Sequence, residues 1–404
     1  MVSAANFAGG IVLVRGLGLA EFGKYSIAYS LLLFANALQM SFVASPMLNI
    51  GPLLQKEEKA QFVNGMLTLQ ILASMLLFAV FALVGLASRL FTPFYSVPCI
   101  LLFSCCIGTY QLQDWLRRYY FLVNKGKHAL ATDFISYCVQ FLLLLLLWRV
   151  GRLSLVLTFL VMCATSVAAV VMGPITDRLR PARGTLGATW KRCRSLSRDL
   201  LISSQVRWFG TQGLFLIGAV VLGSAGIGGL RATQSIGGPI YLILTSLENV
   251  APIRLAEELK KEGAAGAYAL AQRWILYSML FFSVMVVPIA IFGRTILRVL
   301  YGPALVAFYW PMFLQLVSIV VTAATMLWFH FYRTVQETPV MLQANGLAAL
   351  SNLLTVYWFG HLWNASGIVI SILLGQVIIA LYCRLYWARN HGAILARHPV
   401  SKAI

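Results

Sequence analysis

Four charged residues stand out because each lies within a long apolar stretch of the sequence: Arg15, Arg207, Arg231 and Glu248. The planar guanidinium of arginine keeps its charge and binds phosphate or carboxylate groups through two parallel hydrogen bonds. The three arginines are therefore candidates for binding an anionic group. Glu248 precedes Pro252 by four residues, and a carboxylate beside a helix break is a candidate site for a coupled proton or cation.

A second set of charges is spaced for pairing. Asp114 and Arg118 are four residues apart, so they fall on one face of a helix and favour an ion pair. Asp133 opens the next apolar stretch, where it can pair with Arg117 or stabilise the positive end of a helix. We expect these four residues to have a structural role.

Catalytic chemistry finds no support in the sequence. The motifs HExxH, GxSxG and the Walker loop are absent, and the five histidines are scattered. The seven cysteines form no CxxC pair and mostly lie in apolar runs, which is typical of small buried side chains. We therefore expect no enzyme activity, no metal and no cofactor.

The composition identifies the class of protein. Of the 404 residues, 60% are hydrophobic and only 11% are charged, which excludes an ordinary soluble protein. The formal net charge is nevertheless +19. Long apolar runs argue against nucleic acid as a partner. A polytopic membrane protein explains both facts if the positive charge lies on one side.

Twelve apolar stretches are candidates for membrane spans, which need roughly 20 residues. They are 1–17, 23–48, 62–87, 94–118, 130–149, 153–174, 201–222, 229–252, 272–300, 304–330, 338–360 and 364–388. Only 14 residues precede Arg15, about 21 Å of helix. The first helix is therefore expected to be short or to begin upstream of Met1.

The positions of the basic residues predict the orientation. Of the 31 Lys and Arg residues, 23 lie at the connections after the even-numbered helices or at the C-terminus, and eight lie on the other side. Cytoplasmic loops carry the excess of positive charge, so both termini are predicted to be cytoplasmic.

The predicted fold is an all-α integral membrane protein of about 12 helices in two six-helix lobes. The expected domains are an N-terminal lobe (1–174), a basic cytoplasmic linker (175–200), a C-terminal lobe (201–388) and a basic cytoplasmic tail (389–404). An internal repeat supports the two lobes. Residues 17–23 and 222–228 both read L-G-x-A-x-x-G at an offset of 205, and Pro46 and Pro252 repeat at 206. Their glycines suit a turn with positive φ. Because each lobe has an even number of helices, both lobes begin on the same side of the membrane. They are therefore expected to be related by a pseudo-two-fold axis along the membrane normal.

Given this topology, the charged candidates have simpler interpretations as well. Arg207 can extend to the cytoplasmic headgroups, and Arg15 and Arg231 can contact the outer ones. Glu248 can pair with Arg254 or Arg207. Trp148, Trp310 and Trp363 lie near span ends and are typical of interface anchors, with stacking on sugars as the alternative.

Several segments resemble a known family. Residues 14–25, VRGLGLAEFGKY, resemble the opening motif of bacterial polysaccharide exporters, the O-antigen flippase-like proteins of the multidrug/oligosaccharidyl-lipid/polysaccharide (MATE-like) exporter superfamily. The stretch 111–120, QLQDWLRRYY, and the Tyr301-Gly302-Pro303 corner are similar to the same family. The short first helix and Leu19, where the family often has Pro, depart from its pattern.

The resemblance implies a flippase that moves an undecaprenyl-pyrophosphate-linked oligosaccharide across the bacterial inner membrane. Such a cargo serves O-antigen, capsule or exopolysaccharide synthesis, and family members are generally driven by ion gradients. The implied partners are the lipid-linked oligosaccharide, membrane lipid, and a polysaccharide polymerase with its export machinery. Two alternatives remain open: a drug or cation antiporter of the same superfamily, and a non-catalytic subunit of the export machinery.

Overall fold

The computed structural model describes residues 2–177, 179–208 and 212–399, and all regular elements in these ranges are helical. The α-helices are α1 (Val2–Gln39), α2 (Ser45–Ile50), α3 (Lys56–Ser88), α4 (Val97–Leu122), α5 (Gly126–Asp133), α6 (Gln140–Arg149), α7 (Leu155–Asp177), α8 (Leu186–Trp208), α9 (Leu214–Ile236), α10 (Gly238–Tyr301), α11 (Tyr309–Thr334) and α12 (Thr338–Arg397). Short 3₁₀ turns cover Gly51–Leu53, Arg183–Thr185 and Pro303–Phe308.

Two π-helical turns join helices into longer rods. Met40–Ala44 connects α1 to α2, and Phe134–Val139 connects α5 to α6. The second rod therefore runs over Gly126–Arg149. At 1.5 Å per residue it is about 36 Å long, enough to cross a hydrocarbon core of about 30 Å.

Four of the helices are broken internally. The backbone leaves the helical region at Gly18 in α1, Gly223 in α9, Gly263 in α10 and Trp363–Asn364 in α12. The 64 residues of α10 would be about 96 Å long if straight. Each break therefore separates two helical arms. The sequence predicts connections of several residues at 18–22, 223–228 and 253–271. In the structure each of these connections is a break at a single glycine, because one residue with positive φ is enough to change the direction of the helix.

The surface shows what surrounds the helices. By length and composition, seven helical segments of the described chain can cross a membrane. Large apolar side chains on them are exposed, including Leu76 (65%), Leu83 (69%) and Phe292 (61%). Leaving a contiguous apolar surface in water is costly, so these faces contact lipid. The protein is a multi-pass membrane protein.

The chain folds into two compact units, Met1–Trp208 and Phe209–Ile404. In unit 1, α4 packs against α3 and α7, and Trp115, Ile107 and Phe159 are fully buried there. In unit 2, α11 packs against α9, α10 and α12 and buries Leu327 and Phe331.

The basic segment expected to be a linker at 175–200 contains most of α8, which packs within unit 1. Thr189, Cys193 and Ser197 form its buried stripe, and the Ser197 hydroxyl donates to the carbonyl oxygen of Phe42 at 3.0 Å. Burial raises the pKa of the Cys193 thiol. The hydrophobic pattern did not reveal this helix because two of the three stripe residues are small hydroxyl residues. Lys191, Arg192, Arg194 and Arg198 lie on its exposed face.

Candidate functional site

Arg231 lies in the second arm of α9, eight residues after the break at Gly223. Its Nη1 donates to Oε1 of Gln234 at 2.9 Å, and its Nη2 donates to Oε1 of Gln212 at 2.7 Å. The Cζ atom is 3.8 Å from the ring centroid of Phe215, a cation–π distance. Two amides and a ring therefore fix the plane of a half-buried guanidinium.

The three partners of Arg231 named above are neutral, so they orient the guanidinium without cancelling its charge. An oriented cation of this kind suits a phosphate or carboxylate. Gln234 is one helical turn from Arg231, whereas Phe215 lies in the first turn of α9 and Gln212 just before that helix, both ahead of the break.

The other two predicted arginines lie in unit 1. Arg15 is exposed and precedes the break at Gly18 by three residues. Arg207 belongs to the last turn of α8, but its side chain lies outside the described part of the chain. Its neighbour Trp208 is buried, with its ring 4.9 Å from that of Phe34.

Glu248 lies in the first arm of α10 and is exposed. Arg254, one of its two expected partners, instead donates through Nη1 to Oε2 of Glu257 at 3.0 Å. The helix runs through Pro252 and breaks at Gly263, so Glu248 is not beside a break as expected. Among the described residues, no ion pair involves Glu248.

The paired charges form a cluster inside unit 1. Nε of Arg118 donates to Oδ2 of Asp114 at 2.8 Å, and Nε of Arg117 lies 3.1 Å from Oδ1 of Asp133. The side chain of Asp114 is only 6% exposed. Asn36 of α1 adds a longer contact, 3.5 Å from its Nδ2 to the same oxygen of Asp114. The cluster therefore ties α1, α4 and α5 together.

Sequence reasoning missed the uncharged polar residues near this cluster. Nε2 of Gln39 donates to Oε1 of Gln70 at 3.2 Å, and Nε2 of Gln70 donates to the hydroxyl of Ser74 at 2.9 Å. Gln111 and Gln113 of α4 are also buried. A buried amide within an apolar run is costly unless it is hydrogen-bonded. The occurrence of glutamines inside apolar runs was therefore the sequence signal that could have indicated these contacts. In the described ranges, no group of three His, Cys, Asp or Glu side chains is placed to hold a metal ion.

No protein-family model and no curated protein sequence matches the chain. Solved structures do. A lipid II flippase, MurJ, in an inward closed conformation, superposes with a TM-score of 0.74 at 14% identity, covering 96% of this chain and 86% of that one. The chain has the fold of MOP-superfamily transporters. A multidrug resistance MATE family transporter of that superfamily matches with a TM-score of 0.71 at 14% identity, covering 100% and 96%. A Vibrio cholerae MATE transporter matches at 0.64 and 11% identity, covering 97% and 93%.

Proposed function

We propose that the protein is a flippase for an undecaprenyl-pyrophosphate-linked oligosaccharide, a repeat unit of O-antigen, capsule or exopolysaccharide. It moves this cargo from the cytoplasmic to the outer leaflet of the bacterial inner membrane by alternating access of the two units as lobes. Both termini lie in the cytoplasm. A polysaccharide polymerase and its export machinery use the cargo on the outer side.

The observation that carries this proposal is the oriented guanidinium of Arg231. A pyrophosphate needs fixed cations of defined orientation, and the guanidinium of Arg231 is oriented by the amides of Gln212 and Gln234. Arg15 and Arg207 are the further proposed contacts. The fold shared with a lipid II flippase supports the same class of cargo.

Charge pairing argues against a cationic cargo. The acidic residues of the unit 1 cluster are already compensated, Asp114 by Arg118 and Asp133 by Arg117. A carboxylate engaged in this way attracts a second cation weakly, because the net charge of the pair is close to zero. Glu248 is the proposed coupling residue, through binding of a proton or a cation.

The test is flipping by the purified full-length protein in proteoliposomes. The probe is a fluorescent undecaprenyl-pyrophosphate oligosaccharide. The measured quantity is the fraction of the probe that is protected from an added glycosidase, as a function of time. We expect Arg231→Ala to lower the initial rate by about tenfold, equivalent to one lost ionic hydrogen bond of about 1.4 kcal/mol. Arg231→Lys should recover only part of the rate, because an ammonium group lacks the planar fork.

The matched control is Arg254→Ala, which removes an exposed arginine paired with Glu257 on α10. Its rate should stay within twofold of the unchanged protein. Equal rates for the Arg231 and Arg254 variants, or flipping that does not exceed empty vesicles, would refute the assignment.

A drug or cation antiporter is the second candidate, because the MATE neighbours include multidrug resistance transporters and Glu248 is exposed. In that case the same proteoliposomes should exchange an organic cation such as ethidium against a proton gradient. That exchange should be lost in Glu248→Gln and kept in Arg231→Ala. The opposite pattern supports the flippase.

A further inference from the structure

A cavity of about 430 Å³ lies at the end of unit 1 where α3 begins and α4 ends. Its lining combines Lys56, Lys59, Ala60, Val63 and Asn64 of α3 with Tyr119, Leu122, Val123 and Asn124 of the α4 end, and Leu179. The five α3 residues are spaced i, i+3, i+4, i+7 and i+8, so one face of the helix forms one wall. Along that wall, two lysines are followed by two apolar residues and then by an asparagine amide.

The lining carries two positive charges and no carboxylate. Glu57 and Glu58 belong to the same helical turn as the lysines, but neither lines the cavity. Glu58 instead lies 3.7 Å from Arg192 of α8, measured from Oε2 to Nη2. The first turn of α3 thus turns its lysines toward the cavity and its acids away from it.

The backbone adds to this positive potential. No side chain caps α3 at Gln55, so the first N–H groups of the helix keep their donor capacity. Lysine in a first turn is opposed by the helix dipole, which favours negative charge there. An anion in the cavity would offset this cost.

Further donors surround the two lysines. Nζ of Lys59 donates to the carbonyl oxygen of Leu122 at 3.2 Å, which leaves two of the three ammonium donors for a ligand. Asn64 and Asn124 present amide groups, and Tyr119 presents a phenol. Such groups suit the ester oxygens and hydroxyls that accompany a phosphate.

Exposed apolar side chains lie close in sequence to the lining residues. Leu53, three residues before Lys56, is 83% exposed, and Phe121, beside Leu122, is 53% exposed. We infer that this cavity binds the phosphoryl headgroup of an anionic glycerophospholipid, with Lys56 and Lys59 contacting the phosphate and Leu53 and Phe121 the acyl chains. The site lies within unit 1 and does not depend on the proposed cargo.

Native mass spectrometry of the full-length protein in mild detergent tests this inference. The probes are dioleoylphosphatidylglycerol, dioleoylphosphatidylcholine and dioleoylglycerol. We expect phosphatidylglycerol to bind at least tenfold more tightly than the other two. Lys56→Gln with Lys59→Gln should weaken it by about tenfold or more, since each cation near anionic lipid contributes appreciably. Lys260→Gln with Lys261→Gln, at two exposed lysines of α10, is the matched control and should bind as before.

Two further measurements separate the sources of the phosphate and locate the site. Displacement of phosphatidylglycerol by millimolar glycerol 3-phosphate would support recognition of the phosphoryl group alone. Binding that resists glycerol 3-phosphate would support recognition of the intact lipid. A phosphatidylglycerol carrying a photoreactive headgroup should label peptides that contain 56–64 or 119–124, which keeps the test valid if the double variant fails to fold. Equal binding of dioleoylglycerol, or labelling confined to other peptides, would overturn the inference.

Discussion

Arg118 and Arg231 are both cations in an apolar chain, yet their partners differ in charge. Arg118 faces the carboxylate of Asp114, whereas Arg231 faces two amides and a ring. The first arrangement neutralises a buried acid, and the second orients a cation. Removing one partner of a buried ion pair strongly destabilises a protein, because the remaining charge is buried without compensation.

We therefore predict that Arg118→Ala destabilises the protein by about 3 kcal/mol, because it leaves Asp114 buried with only the distant amide of Asn36. Unfolding should be followed by the loss of monodisperse protein on heating in detergent. Asp114→Asn with Arg118→Gln should restore much of the loss, because neither charge then remains.

The control at the same scale is Arg254→Ala, which breaks a pair whose side chains are 62% and 48% exposed. Its cost should stay below about 1 kcal/mol, as for other exposed pairs. Similar melting of the two single variants would contradict a structural role for the buried cluster.

Residue-level contacts were predictable from sequence where they are local or where they join the few opposite charges of the apolar stretches. The spacing of Asp114 and Arg118 predicts a shared helix face, and the structure places the two groups 2.8 Å apart. The contacts of Gln39 with Gln70 and of Arg231 with Gln212 join residues that are distant along the helices. They depend on how helices pack or bend, which a hydrophobic pattern does not encode.

At the scale of elements, Gly18 and Gly223 repeat one backbone conformation. Their φ and ψ angles are 75° and 168° in α1 and 68° and −179° in α9. They occupy the same position in the two L-G-x-A-x-x-G segments. This region of φ and ψ is essentially restricted to glycine. The sequence repeat therefore corresponds to a repeated local structure, a one-residue break between two helical arms.

Gly18→Ala and Gly223→Ala should each cost about 1–3 kcal/mol through backbone strain alone. No atom lies within 4 Å of a Cβ built at either position, so crowding does not contribute. Thermal unfolding in detergent measures the loss.

Gly10→Ala is the matched control, since it also has open space but lies in a regular helical arm of α1. Alanine there should raise stability by up to about 1 kcal/mol, because it favours the helix. The same sign of change at Gly10 and Gly18 would contradict the assignment of strain.

The helices that lie in long apolar runs could be predicted from the sequence, whereas α8 could not. The rods and arms follow the long apolar stretches of the sequence, with ends shifted by several residues. In α8 five of the 23 residues are lysine or arginine, while its buried stripe contains Thr189 and Ser197. Its helical state comes from packing against α1 and α3, which only tertiary structure supplies.

At the scale of the whole molecule, the basic residues assign sides to the membrane. The rod Gly126–Arg149 carries Lys127 near one end, and Arg152 follows its other end; both side chains are exposed. The excess of positive charge predicts that Lys127 is cytoplasmic and Arg152 is external.

Single cysteines at these two positions, in a cysteine-free version of the protein, test this orientation in intact cells. A membrane-impermeant maleimide should label Arg152→Cys at once and Lys127→Cys only after the cells are permeabilised. Each variant serves as the control of the other, since they flank one rod. Labelling in the reverse order would invert the topology, and labelling of both from outside would exclude a span.

The π-turn Phe134–Val139 has a consequence for how such a chain can change over time. A π-turn holds one residue more than the α-helical turn it replaces, and it is commonly read as a single-residue insertion into a helix. Each residue added to a helix rotates everything beyond it by about 100°. Deleting one residue from this turn would therefore restore α-helical hydrogen bonding and leave α6, with its exposed Leu142 and Leu146, facing the same way. A deletion elsewhere in the rod would instead rotate every side chain beyond it by about 100°. The turn is thus the position in this rod where a single codon can be lost with the least change in which side chains face the lipid.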